Sequence, residues 1–112
     1  MSAFRPRCAA AALVLVTAAT CAAAQDAAPS AATLRARSLA ATCAACHGTD
    51  GRAASGAAIP GLAGMPATYL VEQMKTFKSG ARAGSVMPQL AKGYSDAQIE
   101  QLAAWFAKVP VK

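Results

Sequence analysis

Acidic residues and aromatic rings are both scarce in this chain. Five Asp and Glu stand against 11 Lys and Arg, and aromatics make up 5% of 112 residues. With so few large rings, any core is built mainly from small side chains. A domain of this size buries little apolar surface and often depends on a metal, disulfides or a cofactor for stability. No stretch alternates long enough to make a useful strand, and no segment repeats. The cations are not interleaved with aromatics, which argues against nucleic-acid binding. The hydrophobic fraction of 55% is inflated by alanine and by the N-terminus.

The N-terminus has the pattern of an export signal. Arg5 and Arg7 give a positive start, and Cys8 to Ala24 carries no charge, with Leu13, Val14, Leu15 and Val16 at its centre. Ala22, Ala23 and Ala24 are the small residues a signal peptidase requires, which places cleavage before Gln25. A retained anchor is the competing reading, but the segment is shorter than the roughly 20 residues that span a bilayer. A lipoprotein at Cys21 is a further alternative that Thr20 fits poorly. The expected organisation is a signal over 1–24, a flexible lead-in over 25–32 rich in Ala, Pro and Ser, and one domain over 33–112.

Cleavage would leave Cys43 and Cys46 as the only cysteines, in an exported and therefore oxidising setting. It would also leave nine cations against five acids, a net charge of +4. Lys75, Lys78, Arg82 and Lys92 fall in one stretch. They either offer a basic surface to an acidic redox partner or are simply solvated helix positions.

The mature chain reads as all-α. A first helix is expected from Thr33 to Thr42, closed by Cys43 to His47. The glycines and proline between Gly48 and Gly64 predict a long ordered loop. Pro66 suits the first position of a second helix, with Leu70, Met74 and Phe77 at helical spacing and Gly80 as its stop. Ala81 to Gly93 is expected to be a loop carrying Met87 and Pro88. Ser95, Asp96, Ala97 and Gln98 form a capping box for a last helix, with Ile99, Leu102, Ala103 and Phe106 on one face. Leu34, Leu39, Ile99, Leu102 and Phe106 are the expected helix-crossing core, and Trp105 is expected to support it.

Cys43-Ala44-Ala45-Cys46-His47 carries the chemistry. Residues three apart lie on one side of a helical turn, so both thiols can reach the two vinyl groups of a single haem. The adjoining imidazole of His47 can then bind its iron. Two other readings compete. A thiol–disulfide pair expects a βαβ setting and leaves His47 unexplained. A structural zinc needs four ligands, and after two Cys and the one His the fourth would be a carboxylate. Electron carriers often place methionine opposite the histidine. Met87 in its loop is the preferred candidate; Met65 lies close behind His47, and Met74 sits on an apolar helix face where core packing is the default.

These motifs are similar to those of the small class I bacterial cytochromes c. The chain most resembles the haem subunits of flavocytochrome sulfide dehydrogenases and one half of the two-haem bacterial cytochromes. The matching elements are Cys43 to Gly48, Ile59 to Gly64, Tyr69 and Leu70 with Gln73 and Phe77, Val86-Met87-Pro88 and Ala104-Trp105-Phe106. The resemblance implies a small all-α cytochrome c fold: three main helices and ordered loops wrapped on one covalent haem c, with the first and last helices crossing. It also implies that the Pro60 carbonyl accepts the His47 ring N–H and that Leu62 packs on the haem. Pro60 as a plain turn residue is the alternative. Tyr69, Gln73 and Arg82 either meet the haem propionates or serve at the surface.

Iron held by His47 and Met87 leaves no open position for a substrate. The expected function is therefore single-electron transfer in the periplasm by a free carrier that is not an enzyme. The alternative is a haem subunit of a complex such as a flavoprotein sulfide dehydrogenase. A ligand-sensing haem protein and a structural protein without haem complete the field.

Overall fold

A computed structural model describes residues 28–111. The expected signal over 1–24 and the start of the lead-in lie outside the described residues. Five helices and one short 3₁₀ turn follow in order, and no strand occurs among the described residues.

Helix α1 runs from Ala31 to Ala41. It starts two residues before the expected Thr33 because the Ser30 hydroxyl accepts the Thr33 amide at 3.1 Å, a serine N-cap. Ala31 and Ala32 are thus its first turn and not part of the lead-in. The chain stays helical in backbone through Thr42 and Cys43 and re-forms as α2, Ala44–His47. The cysteine motif is therefore its own short helix, not the closing turn of α1. Gly48 ends it at a φ of 82°, and a 3₁₀ turn over Thr49–Gly51 follows.

Helix α3, Ala67–Ser79, begins one residue later than expected, with Pro66 extended before it. Gly80 ends it in the left-handed conformation, its N–H bonded to the Phe77 carbonyl. The expected loop from Ala81 to Gly93 holds a helix instead: α4, Met87–Lys92. Pro88 was the misleading signal. In a first helical turn proline's fixed φ is already suitable and its missing N–H has no partner to lose. Helix α5, Asp96–Lys108, carries the complete capping box: Ser95 Oγ accepts the Gln98 amide at 3.2 Å, and Gln98 Oε1 accepts the Ser95 amide at 2.8 Å.

Helix α5 is the centre of the domain and packs against both α1 and α3, while α4 packs on α3. Ala40, Leu70, Leu102, Ala103 and Phe106 form the buried cluster, with Leu39 and Trp105 half-buried against it. Leu34 does not belong to it and is 48% exposed. Helix α1 is buried only near its C-terminal end, at Ala40, so Leu34, almost two turns earlier, stands in solvent. No helix among the described residues is long and apolar enough to cross a membrane.

Candidate functional site

The cysteine motif forms the helical turn its spacing requires. The Cys46 and His47 amides both bond to the Cys43 carbonyl, at 3.3 and 3.0 Å. Cys43 is half-buried, Cys46 is exposed, and the two thiols are not bridged. Burial pushes the Cys43 thiol up; the Thr42 hydroxyl partly opposes this, and the neighbouring Cys46 adds to it. A thiol that ionises reluctantly is a poor redox nucleophile. With no strand among the described residues, the thiol–disulfide reading loses its support. No cluster of three or more His, Cys, Asp or Glu among the described residues is placed to hold a metal ion, which counts against zinc.

His47 is buried, 9% exposed, the one polar side chain so placed among the described residues. Its Nδ1 lies 2.7 Å from the Pro60 carbonyl oxygen. A carbonyl only accepts, so Nδ1 carries the proton and Nε2 keeps its lone pair for a metal. Two glycines make this contact possible. Gly48 has a positive φ, and a Cβ there would collide with the Arg52 carbonyl. Gly51, with a φ of 73°, lets the Phe106 ring approach so closely that a Cβ would lie 2.9 Å from it. The Gly51 carbonyl in turn accepts the Leu62 and Ala63 amides at 2.7 and 3.1 Å. The loop bearing Pro60 is thus anchored on the turn that follows His47.

Cys43, Cys46 and His47 line a cavity of about 520 Å³. Its depth is apolar: Leu70, Ile99, Leu102 and Phe106 lie at its base, and Leu62 joins them from the loop. Met65, Met74 and Met87 all line it. They differ in place. Met65 follows the loop tied to Gly51 and packs on the core. Met74 is on α3. Met87 opens α4, which packs on α3, whereas α2 packs on the 3₁₀ turn.

Tyr69, Gln73 and Arg82 also line the cavity. Arg82 is hydrogen-bonded to the Gln73 carbonyl oxygen Oε1 and sits 4.5 Å from the centre of the Phe77 ring. Two other cations of the expected basic stretch meet acidic groups. Lys78 binds Asp96 Oδ1 and the Tyr94 carbonyl, both at 2.8 Å. Lys75 lines a separate open depression between α3 and α5, of about 780 Å³, alongside Glu72 and Glu100. Ala53 to Val71 and Ala83 to Ala91, which supply much of the cavity wall, contain no Asp, Glu, Lys or Arg. Ile59, Val86 and Leu90 line the cavity while remaining 41%, 55% and 48% exposed.

A cavity of this size and apolarity fits a bulky, mostly apolar group. Its donors, two unpaired thiols and an imidazole with Nε2 free, are those of haem attachment. Residues 30–106 match the family model described as cytochrome c oxidase, cbb3-type, subunit III. The chain belongs to this cytochrome c family. Over 50 residues it is also 44% identical to a protein of Thiomonas intermedia (strain K12) named thiosulfate dehydrogenase electron acceptor. That stretch is 45% of this chain and 23% of the relative, so less than a quarter of the relative's length is matched. As a member of this family, the chain carries a haem-binding cytochrome c domain of the electron-transfer type. Its all-helical architecture agrees with this cytochrome c fold.

Sequence reasoning missed part of this cytochrome's site. Thr42 and Tyr94 line the cavity and are hydrogen-bonded to each other at 2.7 Å. They lie 52 positions apart, with no local pattern to link them. The joint exposure of Ile59, Val86 and Leu90 was missed for a different reason: apolar residues in a loop, at a helix cap and in a six-residue helix carry no periodic signal.

Proposed function

We propose that this protein is an exported, monohaem c-type cytochrome that carries single electrons between periplasmic redox proteins. Cys43 and Cys46 would hold the haem through thioethers, and His47 Nε2 and Met87 would bind its iron. The observation that carries this reading is the His47–Pro60 hydrogen bond, set beside two free thiols in an apolar cavity. It leaves the imidazole oriented and its second nitrogen available. Met87 is preferred because it opens α4, which packs on α3, whereas the cysteine helix packs on the 3₁₀ turn, and because Met65 follows the Pro60-bearing loop and packs on the core.

Bound haem supplies reversible one-electron chemistry at iron. The protein's part is to hold and shield it. Pro60 fixes the His47 tautomer. Leu62, Ile99, Leu102 and Phe106 exclude water from the base of the cavity, and an apolar setting with a methionine ligand favours the reduced state. Arg82, with Gln73 and Tyr69, supplies cationic and polar groups suited to the propionates.

The partner is a redox protein. The relative's name motivates a donor that oxidises an inorganic sulfur compound. The rim of Ile59, Val86 and Leu90 suits a partner that presents an apolar patch. A standing place in a flavoprotein complex is the second reading, favoured by that same exposed rim.

Two measurements test this. Intact mass of the exported protein is expected to show a chain beginning at Gln25 plus the mass of one haem, and a Cys43→Ala/Cys46→Ala variant is expected to lack the addition. An exported wild-type chain without added mass refutes the covalent haem. Gel filtration of a native extract separates the two partner readings: a free carrier elutes at the mass of a monomer, and a complex subunit far above it.

A further inference from the structure

The cavity has two walls from distant parts of the chain, and one side chain spans between them. The Thr42 hydroxyl donates to the Leu39 carbonyl at 2.7 Å. Its proton is thereby committed, so it accepts from the Tyr94 hydroxyl at 2.7 Å. Thr42 is the residue immediately before Cys43, at the end of α1. Tyr94 lies two residues beyond the end of α4, whose first residue is Met87.

The main chain of Tyr94 is held as firmly as its side chain. Its amide bonds to the Ala91 carbonyl at 3.3 Å. Its carbonyl accepts Lys78 Nζ from the last turn of α3, and the same ammonium binds Asp96 in the first turn of α5. The segment leading into the other end of α4 is tied to α3 at Arg82, whose amide bonds to the Thr76 carbonyl at 3.0 Å and whose side chain meets Gln73 and Phe77. The Tyr94 hydroxyl is the tie from this end of α4 to the wall that carries the cysteines.

We infer that Tyr94 is a positioning residue: through Thr42 it sets the distance between the Cys43–His47 wall and α4, and so keeps Met87 within reach of the iron. The inference rests on the reading of Met87 as the second axial ligand. Tyr94 itself touches neither iron nor substrate in this role. Breaking the Tyr94–Thr42 bond frees α4 to drift from the opposite wall, and Met87 then yields more readily to a competing ligand.

The test uses the haem-loaded protein with imidazole as the competitor. It compares wild type with Tyr94→Phe, Thr42→Val, Thr42→Ser and the Tyr94→Phe/Thr42→Val pair. Imidazole is titrated while the methionine–iron absorption band of the oxidised protein is followed. Tyr94→Phe and Thr42→Val are expected to bind imidazole about two- to tenfold more tightly, the range one net hydrogen bond allows. Thr42→Ser retains the hydroxyl and is expected to stay near wild type. The double variant is expected to go no further than the larger single effect, because both remove one interaction. A purely structural role for Tyr94 would lower the melting temperature and leave the imidazole titration unmoved, and that result overturns the inference. Tyr94→Phe keeps the ring and leaves the Thr42–Cys43 segment unaltered in sequence, so it remains decisive if Thr42→Val impairs haem attachment. A wild-type protein without the methionine band refutes the axial assignment, and the inference falls with it. A wild-type band with unchanged titrations refutes the inference alone.

Discussion

Gly51→Ala is expected to destabilise the protein well beyond what its backbone conformation alone would cause. Gly51 has a φ of 73°, and Gly80 has a φ of 83°. An alanine at either pays the left-handed penalty, about 1–2 kcal/mol. The surroundings differ. Nothing lies within 4 Å of a Cβ at Gly80, whereas a Cβ at Gly51 meets the Phe106 ring at 2.9 Å and Leu62 Cβ at 3.0 Å. Phe106 is 2% exposed and lines the cavity that haem would fill, so in the loaded protein its ring would have little space to move into. Overpacking of this kind adds about 1–3 kcal/mol. Gly51→Ala should therefore lie below Gly80→Ala by about 1–3 kcal/mol, which for a domain of this size is roughly 4–20 °C in melting temperature. Thermal melts of the two haem-loaded variants, followed by circular dichroism, measure the difference directly. Coincident melts would refute the claim that Phe106 and the Pro60-bearing loop close on Gly51 without slack.

Three further outcomes are expected. The methionine–iron band of the oxidised protein should vanish in Met87→Ala and persist in Met65→Ala and Met74→Ala, as read by absorption spectroscopy. Electron exchange with a co-purified donor should respond weakly to salt in stopped-flow traces, because the rim around the cavity carries Arg82 as its one cation and no acid among the described lining residues; a charge-steered pair would instead slow by roughly 10- to 1000-fold. Asp96 is held below the usual carboxylate range by its hydrogen bond and charge pairing with Lys78. A lowered folded value adds stability above the unfolded value, near pH 3.9, and loses it as the pH falls through the folded value. Acid unfolding curves of Asp96→Asn should accordingly be flatter than wild type below about pH 4, and identical acid limbs would show that the pair contributes nothing.

What the sequence made legible was local. Cys43, Cys46 and His47 are neighbours on one helical turn, and the capping box at Ser95 lies within four residues, so spacing alone specifies their geometry. Gly80 likewise stops α3 through its own backbone freedom. The errors arose where a local signal has two meanings. Pro88 stiffens a loop or opens a helix, and only the burial of Ala91 against the rest of the domain selects the second. Leu34 and Leu39 are equally apolar on paper. Which of them is buried depends on where α1 meets α5, a fact of tertiary structure.

The same division explains why the cofactor was easier to read than its surroundings. Haem attachment needs covalent bonds from residues that must sit together, and such residues write a compact motif. If Met87 is the opposite ligand, as proposed, holding it needs only that α4 stand at the right distance, and distance can be enforced from anywhere. Here it is the Thr42–Tyr94 contact across 52 positions, backed by Lys78 on a third helix. Each of these residues has an ordinary alternative occupation: a helix end, a half-buried ring, a solvated cation. Their joint role exists only once α1, α3 and α5 have been brought together by Ala40, Leu70, Leu102 and Phe106. The small apolar core is thus part of the redox site, since it places the residues that fix the cavity's width.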